Sequence, residues 1–345
     1  MPNISLGCSV VNNDVRKNVS AALRENRLGQ GRFVTEFEQK VTKFVGAKHA
    51  VAVSNGSMAD IVALSVLKQQ RPGRTEVIVP ALTFIAHVNA ILVNGLKPVF
   101  CDIGEDLQIN VEEIRKKTTF DTLAIFPVHL LGKKCNIEEI KKIGREEGIF
   151  VLEDSCEAFG LYHDTEFATY SFFPSHTITT GEGGMIVTNI ESNAEWARKI
   201  ANHGRKGDNI LDKFHFDSMG FNGKMSNVLA AIGCGVVDGA GKVIEERKKN
   251  VEHFNKLMNG NWFADSPHGY PIFYESSEQR DKKLLNLEAN GIEARKLFSC
   301  IPVDEWKTKE KYSYPVAENI SSRSLYVPVH QNLSWDDVEK IAYFL

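Results

Sequence analysis

Cysteine is sparse in this chain: six in 345 residues, at positions 8, 101, 135, 156, 234 and 300, with no CxxC and no closely spaced pair. That spacing argues against a zinc or iron–sulfur site and against a disulfide scaffold; it fits free thiols in a reducing cytoplasm. Apolar runs are short. No segment approaches the ~20 consecutive apolar residues that a membrane-spanning helix needs. The N-terminal text "MPNISLGCSVVNN" has no basic start followed by an apolar run, so it does not read as a secretory signal. Charge of one sign is also lacking. The net charge is −3 and the basic residues are dispersed, so no electrostatic footprint for nucleic acid is visible. Two "RKK" clusters, at Arg115 and Arg247, fall in helix-like stretches and read as solvated helix faces. Internal repeats and low-complexity segments are absent.

What is present is a chain long enough for a large and a small domain. "VRKNVSAALRENRLGQGRFVTEFEQKVTKFVG" reads as two helices, the second with Phe37, Val41 and Phe44 on one face. "HAVAVSNGS" is a buried strand entering a turn, followed by the helix "ADIVALSVLKQQ". The strands "TEVIVP", "KPVFCDI", "TLAIFPVHL" and "IFVLEDS" come next, some separated by helices, and "GEGGMIVTN" is a turn into another strand. Continuous apolar strands alternating with helices predict an α/β fold with a mostly parallel sheet covered on both faces. A long helix through "VIEERKKNVEHFNKLMNG" links to a C-terminal region of short strands and helices. The expected division is residues 1–240 for a large α/β domain and 241–345 for a smaller α+β domain.

Ligands of open α/β sheets bind outside the carboxyl ends of the strands, and four features fall at such ends. In "SNGSMAD", Gly56 allows a tight turn and the amides of Ser57 and Met58 open a helix, a cradle for phosphate or an ordinary capped connection. Phe84 follows a strand and is either a ring-stacking aromatic or a core residue. Glu153 and Asp154 close an apolar strand, where a carboxylate is costly unless it meets a cation or hydrogen-bond donors. The alternative there is a helix cap. In "SFFPSHTITTGEGG", Ser171 can donate to a phosphate and His176 can act as acid or base, although a lone histidine is more often a structural hydrogen-bonder. His330 either faces a substrate or caps the last strand; the cap is the simpler role.

In this order, these blocks resemble the DegT/DnrJ/EryC1/StrS family of nucleotide-sugar aminotransferases, with the fold type I (aspartate aminotransferase-like) architecture of pyridoxal-phosphate-dependent transferases. The resemblance runs from "LRENRLGQGRF" through "VPALTFIAHVNA", "LEDSCEAFG" and "SFFPSHTITTGEGG" to "GFNGKMSNVLAAIG". It implies pyridoxal 5′-phosphate or pyridoxamine 5′-phosphate as cofactor, a cytoplasmic homodimer with shared active sites, a nucleotide-linked sugar as substrate and glutamate as amino donor. It further implies that Gly56, Ser57, Met58 and Ser171 bind the phosphate, that Phe84 stacks on the ring and that Asp154 partners the pyridine nitrogen. Asn222 would reach the cofactor phosphate of the neighbouring subunit, and Glu157 stands where the family often has a glutamine near the ring hydroxyl.

One position departs from the family pattern. The usual lysine, six residues before the Glu of "EGG", is His176 here, and no lysine lies between Thr165 and Asn189. Histidine at this point resembles the subset that dehydrates 4-keto-6-deoxy sugars at C3, in which the amine form of the cofactor is held without a covalent tether and the histidine moves the proton. The expectation is therefore a lyase-type 3-dehydratase of deoxysugar biosynthesis, of the type without an iron–sulfur cluster. The alternatives are an aminotransferase of the same family whose lysine has been replaced, naturally or by design, and a catalytically silent homologue that binds sugar nucleotides.

Overall fold

A computed structural model describes residues 4–207, 209–303 and 313–345. Two helices lead, α1 (Asn13–Arg24) and α2 (Arg32–Val45). The large sheet is built from β1 (His49–Val53), β2 (Glu76–Pro80), β3 (Lys97–Cys101), β4 (Thr122–Ile125), β5 (Phe150–Asp154), β6 (Phe167–Ser171) and β7 (Gly184–Thr188). Their order is β1-β7-β6-β5-β4-β2-β3. β7 runs antiparallel to both its neighbours, and the other pairs are parallel. Parallel neighbours need long crossovers, whereas an antiparallel pair can be joined on one edge. The connection from β6 to β7, residues 172–183, therefore stays at the carboxyl end of β6, and His176 with it.

Every residue of β4 and β7 is buried, as the continuous apolar strands predict. Two more helices cover the site. α3 (Gly56–Gln70) is buried nearly all round, because it lies between the sheet, α4 (Ile85–Val93) and the helix Glu191–Ala201. On the opposite face α2 buries Phe37 and Val41 completely, and half-buried Phe44 stacks on Phe159.

The helix Ala240–Met258 leads to a second, antiparallel sheet of β8 (Gly269–Phe273), β9 (Arg295–Lys296) and β10 (Ser324–Pro328), ordered β8-β10-β9. Ile4 bridges to Ile292, so the start of the described chain packs on this sheet. The helical run Asn227–Met258 is long enough, and in one stretch apolar enough, to cross a membrane, but 44% of that stretch is buried inside the protein and the part Asn227–Val236 packs on α1 and α2. Cys8, Cys101, Cys135, Cys156 and Cys234 are free thiols.

The basic cluster at Arg247 corrects the sequence expectation of a solvated face. Lys248 and Lys249 pair with Glu245 and Glu246 on the surface, but the Arg247 side chain is fully buried. Its Nη2 donates to the carbonyl of His176 (2.8 Å) and its Nη1 to that of Pro267 (3.2 Å). A charge run on a helix says nothing about which member turns inward; here Arg247 is the one that meets buried carbonyls of two distant segments.

Candidate active site

A cavity of about 310 Å³ opens at the carboxyl ends of β5 and β6 and the N-terminus of α3. Asn55 caps α3 by accepting the Met58 amide at 2.8 Å. Gly56 and Ser57, the first two helical residues, have no intrahelical acceptor for their N–H groups, so two donors and the positive helix end face the cavity. Met58 is not brought there: its amide is taken by the cap and its side chain packs against Gly223.

Two glycines make this corner possible. A Cβ at Gly184 would lie 2.3 Å from the Asn55 carbonyl oxygen, and one at Gly56 would lie 2.7 Å from the Ser171 Cβ. The pairing of Gly184 with both Val53 and Ser171 sets Ser171 beside the helix start. The glycines of "GEGG" are thus partly explained by backbone approaching backbone.

The two strand-end acids separate by strand alternation. Glu153, fully buried, accepts from His129 Nε2 (2.9 Å), His163 Nδ1 (2.5 Å) and Thr165 Oγ1 (2.6 Å). Burial would raise its pKa, but the two histidine donors outweigh it and lower it to about 2. Asp154 faces the cavity instead, with the Cys156 amide on Oδ1 at 2.9 Å. Beside it lies Asp60 from α3, 2% exposed, accepting from Thr169 Oγ1 at 2.7 Å. Burial and the Asp154 charge push the Asp60 carboxyl well above its usual range.

Phe84 is 54% exposed at the mouth, its ring 5.4 Å from that of Phe298, which places it on the cavity rather than in the core. Glu157 accepts the Leu131 amide at 2.8 Å, and its Oε1 is 3.6 Å from His268 Nε2. Burial pushes Glu157 up to about 7.

His176 lines the cavity, 5.1 Å from the His268 ring, with its Nδ1 buried and unpartnered among the described residues. Burial, then the charges of Arg247 and Arg295, hold it down to about 3, so the imidazole is neutral. No lysine is among the described residues that line the cavity.

Of the sequence-predicted site residues, Gly56, Ser57, Phe84, Asp154, Glu157, Ser171 and His176 therefore converge. Asn222 lies outside the cavity, accepting from Lys224 Nζ at 2.9 Å. His330 also lies outside it; its Nδ1 takes the Asn332 amide at 3.3 Å, after β10. Sequence reasoning missed Asp60, His87 and His268. Asp60 carried a signal, an acid in an otherwise apolar helix. His268 carried none, because it reaches the cavity only through the pairing of residues 266–268 with Leu131 and Gly132.

An open, doubly covered sheet with a helix N-terminus, a strand-end carboxylate and a mouth aromatic around one cavity is the framework of pyridoxal-phosphate-dependent enzymes of fold type I. The chain belongs to the DegT/DnrJ/EryC1/StrS aminotransferase family, whose model matches residues 10–345. It is 31% identical to a GDP-perosamine synthase of Vibrio cholerae over 90% of this chain and 89% of that protein. It is 28% identical to a GDP-4-keto-6-deoxy-D-mannose 3-dehydratase of Escherichia coli O55:H7, over 98% of both chains. Among solved structures, an E. coli GDP-4-keto-6-deoxy-D-mannose-3-dehydratase with bound hydrated PLP superposes with a TM-score of 0.91 at 27% identity, covering 100% of both chains. The protein is thus a pyridoxal-phosphate-dependent, sugar-modifying enzyme.

The residues fit that cofactor. The cavity offers the Gly56 and Ser57 amides for a phosphate, the Asp60–Asp154 carboxyl pair for a protonated ring nitrogen and, among the described residues, unpartnered buried nitrogens on His87, His176 and His268.

Proposed function

We propose that the chain is a 3-dehydratase of a nucleotide-linked 4-keto-6-deoxy sugar, using the pyridoxamine form of the cofactor. The observation that carries this reading is His176: a neutral imidazole with an unpartnered nitrogen stands in the cavity, and no lysine is among the described residues lining it.

When bound, the cofactor supplies an amine that takes up a ketone and a protonated ring that accepts electrons from the adjoining carbon. The amides of Gly56 and Ser57 and the Ser171 hydroxyl hold its phosphate. Asp154 keeps the ring nitrogen protonated, and Phe84 covers one ring face. His176 takes a proton from the carbon that bears the amine and returns it to the hydroxyl leaving C3. Arg247 fixes the His176 backbone through its carbonyl and, by its charge, favours the neutral base. Met58 acts only as part of the helix cap. Glutamate is the proposed amino donor that regenerates the amine.

The test is incubation of enzyme, pyridoxamine 5′-phosphate and a GDP- or dTDP-linked 4-keto-6-deoxy sugar. Loss of the C3 oxygen supports dehydration; recovery of only the 4-amino sugar refutes it. A second reading, amino transfer, is favoured by the higher identity to the perosamine synthase. Replacing His176 by Lys separates the two, since a large gain of glutamate-dependent amination would favour the second.

We further propose a homodimer. Ile210, Leu211, Phe214 and Met219 stand strongly exposed in one segment beside Asn222, an apolar surface that a second copy would cover.

A further inference from the structure

The mechanism above uses one carboxylate at the ring nitrogen, but the cavity wall contains two. Asp60 is on α3 and Asp154 is at the end of β5, and a carboxylate oxygen of each lies within 4.8 Å of the other and of the Cys156 sulfur. Both are buried and both line the cavity. Among the described residues the Thr169 hydroxyl donates to Asp60, and the Cys156 amide and thiol meet Asp154, which leaves acceptor sites open on both carboxyls.

Among the described residues no cation forms an ion pair with either carboxyl: Arg295, which also lines the cavity, pairs with Glu293 at 2.9 Å. α4 contributes His87, which burial holds neutral with a pKa lowered to about 4 and whose Nε2 has no partner among the described residues. The segment after β5 contributes the Cys156 thiol and the Glu157 carboxyl, both pushed up by burial, and β6 contributes the Thr169 and Ser171 hydroxyls. Two carboxylates this close in a buried wall do not both ionise without a compensating charge. Cys156 kept as a thiol is a poor metal ligand, so a flat organic cation suits this wall better than a metal ion.

We propose that Asp60 and Asp154 act as an acid pair on the cofactor's ring nitrogen, so that two carboxylates rather than one hold its proton. The proposal rests on the reading of Asp154 as the partner of that nitrogen. Asp60 thereby makes the ring a stronger electron sink, which matters most when an untethered amine cofactor must give up a carbon-bound proton to the weak base His176. Asp60 also supplies a binding charge for a cofactor that no lysine holds covalently.

The test uses the full chain loaded with pyridoxamine 5′-phosphate labelled with ¹⁵N in the ring. A protonated and a neutral pyridine nitrogen differ widely in ¹⁵N shift. The wild type should keep the nitrogen protonated from pH 6 to 9. In Asp60→Asn it should titrate at least about one pH unit lower, with cofactor affinity by equilibrium dialysis down about tenfold. If Asp154→Asn leaves the nitrogen unchanged, the underlying assignment of Asp154 fails. If Asp154→Asn releases the proton and Asp60→Asn does not, the assignment of Asp154 survives and the Asp60 proposal is overturned. Stoichiometric zinc or magnesium on the two carboxylates, displaced by the cofactor, would also overturn it. Should Asp60→Asn not fold, Thr169→Val, which removes the donor to Asp60, should weaken the ring-nitrogen proton in the same sense; no change would count against the proposal.

Discussion

Acidification is expected to destabilise the cofactor-free protein through His176, by an amount the structure sets. The imidazole is held down from 6.5 to about 3, first by burial and then by Arg247 and Arg295. The sign follows from proton counts. Between pH 3 and 6.5 the unfolded chain carries the His176 proton and the folded chain does not, so stability rises with pH. The contribution is fully present above 6.5 and is lost as pH falls toward 3. A separation of about 3.5 pH units corresponds to ~5 kcal/mol in full. From pH 7.5 to pH 5 the linkage relation gives a loss of about 2 kcal/mol. Water reaches part of the ring, so this figure is a ceiling. The assay is urea unfolding at fixed protein concentration at both pH values, for wild type and His176→Asn. His87, His268 and His330, also lowered first by burial, are present in both proteins, so their burial contributions act in both arms of the comparison. The wild type should lose about 2 kcal/mol more than the variant. Parallel losses, within about 0.5 kcal/mol, would refute the claim that the folded state holds His176 as a neutral base.

Other substitutions test the supporting geometry. Gly56→Ala forces a Cβ to within 2.7 Å of the Ser171 Cβ, so cofactor affinity by fluorescence titration should fall at least about tenfold at modest cost in stability. Gly132→Ala places a Cβ 1.8 Å from the Ser266 carbonyl oxygen at a φ of +81°, and should lower stability by about 3 kcal/mol in thermal unfolding. Glu153→Gln removes the carboxylate between two histidines and should cost about 3–5 kcal/mol in urea unfolding. Phe214→Asp puts a charge into the exposed apolar segment and should shift the protein toward monomer in sedimentation velocity without unfolding it.

The sheet and its helices were legible because each strand is a short apolar run and most crossovers contain an amphipathic or apolar helix; the parallel link from β5 to β6 has none. The spacing of "SNGS", "LEDS" and "SFFPS" placed three segments at strand ends, and the topology turns those ends to one side. Seven of the eight residues expected in the chain's own site line the cavity, and Asn222, expected at the neighbouring subunit's cofactor, lies outside it. Met58 does not line it, because a neighbouring asparagine caps the helix, and nothing in "SNGSMAD" ranks Asn55 above its serines as the cap. Arg247 was read as solvated because a basic triplet gives no sign of which side chain will meet the carbonyls of distant segments.

By itself the sequence determined the order of elements, the absent lysine and the candidate base, since these depend only on local pattern and spacing. Only the tertiary structure decided which of two adjacent acids faces the cavity, that Asp60 stands beside Asp154, and that Arg247 and His268 reach the site from the C-terminal part of the chain. The reason is physical. Burial and like-charge proximity arise from contacts between residues tens to more than a hundred positions apart, and no local pattern encodes the distance between them.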